Sequence, residues 1–241
     1  MREKLTGIVI SVVKHTEKLN VITIYSRERG RLVFLSMRGG GRSAKMRDAR
    51  LLPMSVVEAD YNFRPNVELQ KLGAFSLSVV WNDIYFNPVK RDIVFFISEF
   101  LTRLLQATMP NMPLWDYLRD SMALLDKMTT HLADFHVVFL SSLLSFVGIQ
   151  PDVGSYTDGS YFDMRTGSFT QGMPFHKDFI KGAEARFAVT LTKLNFSNMR
   201  ALKLSKSERR QVINYLLHYY EIHFPGTSSL KSLEILTELY S

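Results

Sequence analysis

The chain has 241 residues, 46% hydrophobic and 22% charged, a balance that supports one large or two small folded domains and excludes a disordered chain. It carries 30 Lys and Arg against 23 Asp and Glu, a formal charge of +7, and no cysteine, which excludes disulfides, thiolate catalysis and a cysteine-based zinc site. The excess charge is confined: residues 1–80 hold 14 basic and 7 acidic side chains (+7), and the remaining 16 basic and 16 acidic residues cancel.

The first third reads as β structure. Ile8 to Val13, interrupted only by Ser11, is rich in β-branched residues and predicts a strand. It is too short for a signal-peptide core, and no uncharged apolar run approaches the roughly 18–20 residues that cross a bilayer. The expected location is therefore cytoplasmic, associated with the nucleoid if the partner is DNA, and away from membranes. Asn20 to Tyr25 predicts a second strand, Arg29-Gly30 a tight turn, and Arg31 to Met37 a third strand. Ser55 to Tyr61 and Val67 to Leu72 predict two more, separated by Asn62-Phe63-Arg64-Pro65-Asn66.

Five short strands without a helical period predict a small closed barrel over residues 1–80. Periodicity alone fits an SH3-like barrel as well. The placement of charge favours an OB-fold, because Arg27 to Arg50 holds eight basic residues against Glu28 and Asp48, around strands two and three and the loop after them. A single-stranded nucleic acid needs cations along its backbone and flat side chains for its bases. Arg27, Arg29, Arg31, Arg38, Arg42, Lys45 and Arg47 are the candidate DNA-binding cations, and Tyr25, Phe34 and Phe63 the candidate stacking groups, although an aromatic in a barrel strand is more often core. Gly39-Gly40-Gly41 is not followed by Lys-Ser/Thr, so it predicts a flexible loop and no phosphate-binding P-loop.

From Asp92 the period becomes helical, and residues 81–241 predict an α-helical bundle domain, giving an α+β chain of two domains. Phe96, Phe100 and Leu104 share one face of a first helix. Leu114 to Met128 forms a second, and the nearly uncharged Phe135 to Val147 a central buried one. Residues 148–175 contain five glycines and two prolines and predict a loop insert, with Ser160 to Met164 and Ser168 to Thr170 pairing as a hairpin. Tyr156, Tyr161, Phe162, Phe169 and Phe175 are expected to pin that loop by burial. Helices resume over 177–191 and 207–224, the latter with Ser207 as N-cap and Arg210 where a glutamate would complete a capping box.

No catalytic constellation emerges. His131/His136 and His218/His223 are five apart, which misses the three-or-four spacing that places two ligands on one helix face. Glu58 and Asp60 share a strand face and form the weak core of a magnesium-nuclease alternative, with no third carboxylate near them in sequence. The other alternative is a protein-interaction adaptor whose barrel docks to protein and does not bind DNA.

Several motifs, in order, carry a resemblance: Gly7-Ile8-Val9-Ile10, Glu17 and Gly30, the basic loop Arg38 to Arg47, Leu52-Pro53, then Phe146-Val147-Gly148-Ile149-Gln150-Pro151, and finally Leu230-Lys231-Ser232-Leu233-Glu234-Ile235-Leu236. Over essentially its full length the sequence resembles the bacterial recombination and repair protein RecO family. The resemblance implies an N-terminal OB-fold and a C-terminal helical domain. It also implies a non-enzymatic protein that binds single-stranded and double-stranded DNA, anneals complementary strands, and works with RecR and single-stranded DNA-binding protein (SSB) so that RecA loads. Many members carry two cysteine pairs after the Gly-x-x-Pro signature, making a zinc site. Here the first pair would fall near Tyr156 and Gly159, so no metal or other cofactor is expected, and aromatic packing is expected in its place.

Overall fold

The computed structural model describes residues 2–38, 41, 50–106, 109–233 and 236. Contacts divide the chain into two compact units, residues 1–128 with 230–236, and residues 129–229 with 237–241. The first unit is built on a five-stranded closed barrel: β1 (Arg2–Lys14), β2 (Leu19–Ser26), β3 (Gly30–Met37), β4 (Val56–Asn62) and β5 (Leu69–Leu77), in the order β1-β2-β3-β5-β4, with β4 pairing back onto β1. All pairings are antiparallel except β3 with β5, which is parallel. That connection is the OB-fold's, as the location of the charge led us to expect.

Two strands are longer than their apolar runs. β1 begins at Arg2 because Lys4 and Thr6 alternate with Glu3 and Leu5 while pairing along β4, so charged residues sit within a strand. β5 continues through Gly73 to Leu77, and the irregularity between Ala59 and Tyr61 is possible because position 73 has no side chain: a Cβ there would lie 2.5 Å from the Asp60 carbonyl oxygen. Gly7 is likewise a close-approach residue, since its Cβ would meet Ile24 Cγ2 at 2.3 Å. Inside, Leu5, Val9, Ile22, Ile24, Phe34, Leu51, Val57, Ala59, Tyr61 and Leu72 form the barrel core.

Helices α1 (Pro88–Leu104) and α2 (Met112–Lys127) complete this unit. Each starts on an asparagine cap, Asn87 and Asn111, with proline inside the first turn, as the geometry of helix N-termini favours. Packing of α1 on β1, including a Ser98 Oγ–H bond to the Ile10 carbonyl (2.5 Å), buries Ile8 and Ile10 on the outer barrel face. The junction before α1 is tied to the barrel by Trp81 Nε1–H to the Met54 carbonyl (3.1 Å) and Tyr85 O–H to the Pro53 carbonyl (2.8 Å). Lys90, 1% exposed, donates to the Asp126 carbonyl (2.8 Å) and pairs with the Asp83 carboxylate (2.8 Å). The Asp126 carboxylate accepts N–H bonds from Asn82, Asp83 and Ile84.

In the second unit, α3 (Phe135–Phe146) is the central buried helix that its composition predicts. The Tyr220 hydroxyl donates to the Leu140 carbonyl (2.8 Å) from α5 (Lys206–His223), and Ser142 Oγ to the Leu194 carbonyl (3.2 Å) beyond α4 (Ala183–Lys193). The Gly148 motif is a helix stop: Gly148 has φ +78° and Ile149 N–H reaches the Leu144 carbonyl (3.0 Å), the outer bond of a Schellman motif. The α5 start differs from expectation. Ser205, not Ser207, is the N-cap, and Glu208 closes a complete capping box: the Glu208 carboxylate accepts Ser205 N–H while Ser205 Oγ accepts Glu208 N–H. Helix also starts later than expected, at 183, because Phe179–Ile180 adds a third strand to the hairpin. The resulting sheet is β7 (Ser168–Thr170), β6 (Tyr161–Asp163) and β8 (Phe179–Ile180), in that order.

His136 on α3 is buried, and that burial, helped by the Arg209 guanidinium, pushes its pKa down from 6.5 to about 4. The folded value lies below the unfolded one, so its contribution to stability is complete above about pH 6.5 and is lost as pH falls toward 4. We expect denaturant unfolding to show about 2 kcal/mol lost to this residue between pH 7 and pH 5. The loss should be absent in His136→Gln, whatever that variant's stability at pH 7.

Candidate nucleic-acid interface

The four sequence-predicted cations among the described residues do not converge on one patch. Arg27, Arg29 and Arg31 lie at the β2–β3 turn, and Arg38 lies just past the other end of β3. Eight residues of strand separate these poles by roughly 23 Å. Arg42, Lys45 and Arg47 fall outside the described residues, in the connection that leaves the barrel after Arg38 and rejoins its core at Leu51.

The turn pole is a three-residue hairpin closed by Gly30 (φ +68°) and organised by Ser26 Oγ, which accepts from Glu28 N–H and Arg29 N–H (both 3.2 Å). Its cations make contacts within the fold. Arg29 donates twice to Glu3 (2.9 and 2.8 Å) and lies 4.0 Å over the Phe63 ring. The Arg29 guanidinium beside Glu3 holds that carboxyl below its usual range, with the Tyr61 hydroxyl also donating to it (2.9 Å). Burial, and next the Glu3 carboxylate, push the Tyr61 phenol up to about 12. Arg27 donates Nε–H to Met112 Sδ (3.3 Å) and sits 5.5 Å from the Trp115 ring, which Arg119 approaches at 5.1 Å.

The opposite pole gathers residues that sequence reading assigned only to a strand end. β1 and β2 join through Lys14, His15, Thr16, Glu17 and Lys18, all exposed. Arg38 N–H donates to the Lys18 carbonyl (2.8 Å), so Lys14, Lys18 and Arg38 share one end of the barrel. Glu17, paired with Lys14, is their acidic neighbour. A periodicity search finds the strands but not this cluster, which depends on hairpin register. The bare Val13 and Met37 side chains flank it.

None of the three candidate stacking aromatics is open. Tyr25 and Phe34 are 0% exposed, and Phe63 packs against the core beneath Arg29. Glu58 and Asp60 border a groove of about 360 Å³ with Lys4, Thr6 and Ser76. Lys4 pairs with Asp60 in register, and among the described residues no group of three or more His, Cys, Asp or Glu side chains could hold a metal.

Aromatic side chains pack around Tyr156, where the resemblance raised the question of a zinc site. Tyr156 meets Phe169 edge-on at 5.1 Å, Phe162 contacts Phe169 at 5.0 Å and Tyr219 at 5.7 Å, and the Tyr219 hydroxyl donates to the Ile149 carbonyl. With thiolates missing from the chain and no convergent donor set among the described residues, these side chains do not fit a tetrahedral zinc site. Phe175 corrects the expectation of pinning: it is fully exposed. No helix of the described residues is long and apolar enough to cross a membrane.

Family comparisons agree with this architecture. The model described as recombination protein O N terminal matches residues 1–78, and recombination protein O C terminal matches residues 92–234. The chain belongs to the recombination protein O family. The chain is 32% identical to the DNA repair protein RecO of Phocaeicola vulgatus and of Bacteroides fragilis, over 100% of both chains in each case. It is 30% identical to that of Porphyromonas gingivalis over 97% of each. The recombination protein O motifs now have physical readings: Gly7 and Gly148 are backbone requirements, and Leu230 to Leu236 is a returning segment of the first unit.

Proposed function

We propose that the chain is a DNA repair protein acting without a chemical step, as a recombination mediator that binds single-stranded DNA, and double-stranded DNA as well, and anneals complementary strands. The observation that carries this reading is the basic pole of Lys14, Lys18 and Arg38, at the barrel end where the segment holding Arg42, Lys45 and Arg47 departs. Cations in that position neutralise phosphate charge and let two strands approach. Arg27, Arg29 and Arg31 are the far contacts of the same track, secondary because Glu3 already engages Arg29. A span of roughly 23 Å sits within the 4–16 nucleotide footprint typical of one OB-fold. The family relationship supports the remaining parts of the proposal: SSB-coated DNA as substrate, RecR and the RecA-loading pathway as partners, and a cytoplasmic, nucleoid-associated location. The two domains we assign are residues 1–80, which bind DNA, and 81–241.

The test is a titration of labelled single-stranded DNA at several salt concentrations. For single strands log K falls with log salt by about 0.7 per phosphate contacted. The triple variant Lys14→Ala, Lys18→Ala, Arg38→Ala is expected to reduce the slope by about 2, with annealing slowed in parallel. An unchanged slope and affinity, with salt-insensitive binding to protein partners, would favour the adaptor instead.

A further inference from the structure

The loop between β7 and β8 exposes side chains that neither the core nor the barrel track uses. Met173 and Phe175 project from it, with Phe175 at 109% relative exposure. The loop's return is nevertheless fixed on both sides of Lys177. His176 Nε2 lies 3.3 Å from the Asp163 carboxylate, and Asp178 is held by Arg165 (2.7 Å) and His218 (3.2 Å). Asp178 N–H donates to His176 Nδ1 (3.2 Å), and its carbonyl accepts Met164 N–H (3.0 Å). An aromatic side chain is thus presented bare from an anchored strand entry, at the full hydration cost of its ring.

The same stretch of chain carries three exposed cations and two acidic groups. Lys177, Lys181 and Arg186 are exposed. The two acidic groups of the same stretch are already engaged, Asp178 as above and Glu184 by the Gln211 amide (2.7 Å). Exposed cations in the same stretch as a bare ring, with no ion pair to them among the described residues, supply the two ingredients of a sequence-tolerant single-strand platform: phosphate attraction and a π-face for a base. The barrel offers the first ingredient while Tyr25 and Phe34 are sealed in its interior.

We propose that Phe175, with Lys177 and Lys181, forms a second single-stranded nucleic-acid contact, in the helical unit, with the Phe175 ring stacking on a base. The inference rests on the DNA-annealing reading, since an annealing protein gains from holding the second strand at a separate place. One exposed phenylalanine and one methionine are a small apolar payload for membrane attachment, so a nucleic acid is the occupant the side chains favour.

The experiment uses the full chain with Phe175→Trp, whose emission is read against wild-type protein, where Trp81 and Trp115 are buried. Oligo(dT) of about 30 nucleotides is expected to quench the added emission. Phe175→Ala and the pair Lys177→Ala, Lys181→Ala are each expected to lose about tenfold in single-strand affinity. Vesicles of phosphatidylglycerol and phosphatidylethanolamine are expected to leave the emission unchanged. Unquenched emission at saturating oligonucleotide, wild-type affinity in both variants, or a blue shift with vesicles would each overturn the proposal. The Lys14, Lys18, Arg38 variant separates the two readings: its loss of binding with Phe175→Ala unaffected keeps the barrel track and rejects this site, while quenching that persists in the triple variant keeps this site alone.

Discussion

Lys90→Ala is expected to lower the unfolding free energy by about 2–5 kcal/mol, enough to threaten a domain of ordinary stability. The ammonium is sealed from water and makes two contacts, the Asp83 carboxylate and the Asp126 carbonyl. Removing it leaves the carbonyl without that donor, opens a cavity the length of a lysine stem, and frees the turn that Asp126 organises through three N–H bonds. Lys90→Met separates the causes. It keeps the volume, and the half-exposed Asp83 regains water, so a loss of about 1–3 kcal/mol is expected. Urea unfolding midpoints with unchanged slopes measure both. A tolerated Lys90→Ala would mean that the network contributes nothing to the first unit.

Glu99→Ala is expected to cost about 2–4 kcal/mol and to release the segment beginning at Leu230. From α1, the Glu99 carboxylate accepts Lys231 N–H (3.1 Å), Ser232 N–H (2.9 Å) and Ser232 Oγ–H (2.6 Å). It therefore caps the helical turn at 231–233 from a residue more than 130 positions away. Burial pushes its pKa up, but the Ser232 hydroxyl, the two N–H groups and Arg103 outweigh that and hold it below the usual 4.5. With the folded value depressed, the stabilisation is present above about pH 4.5 and is lost as pH falls through the folded value. Hydrogen exchange at Lys231 and Ser232 should accelerate in Glu99→Ala at pH 7, with Glu99→Gln intermediate because it keeps one acceptor. Protection unchanged in both variants would reject the clasp.

The barrel was legible in the sequence because strands of β-branched residues with turn signals specify a period of two. Its helices were legible because Phe96, Phe100 and Leu104 repeat at helical spacing. What the sequence hid depends on partners distant along the chain. Arg29 reads as a free cation until Glu3 is placed against it by β1 and β2, and Lys14 and Lys18 read as a strand end until hairpin register brings Arg38 beside them. Phe175 reads as a pinning aromatic because composition says nothing about which side of a loop faces solvent. The capping box at Ser205 is the exception: Ser-x-x-Glu is a local pattern, present in the sequence at Ser205 and Glu208 beside the less complete one at Ser207 and Arg210.

The Glu99 clasp also fixes an order of events during synthesis. The first unit draws residues 230–236 from beyond residues 129–229 of the second unit. A ribosome adding about 5–20 residues per second makes that piece roughly 5–20 s after residue 128. Until then the Glu99 carboxylate lacks its Lys231 and Ser232 donors, and Leu230 and Leu236 have not been buried. Closure of the first unit at Glu99 is therefore a late event in synthesis, because it requires the backbone N–H groups of Lys231 and Ser232.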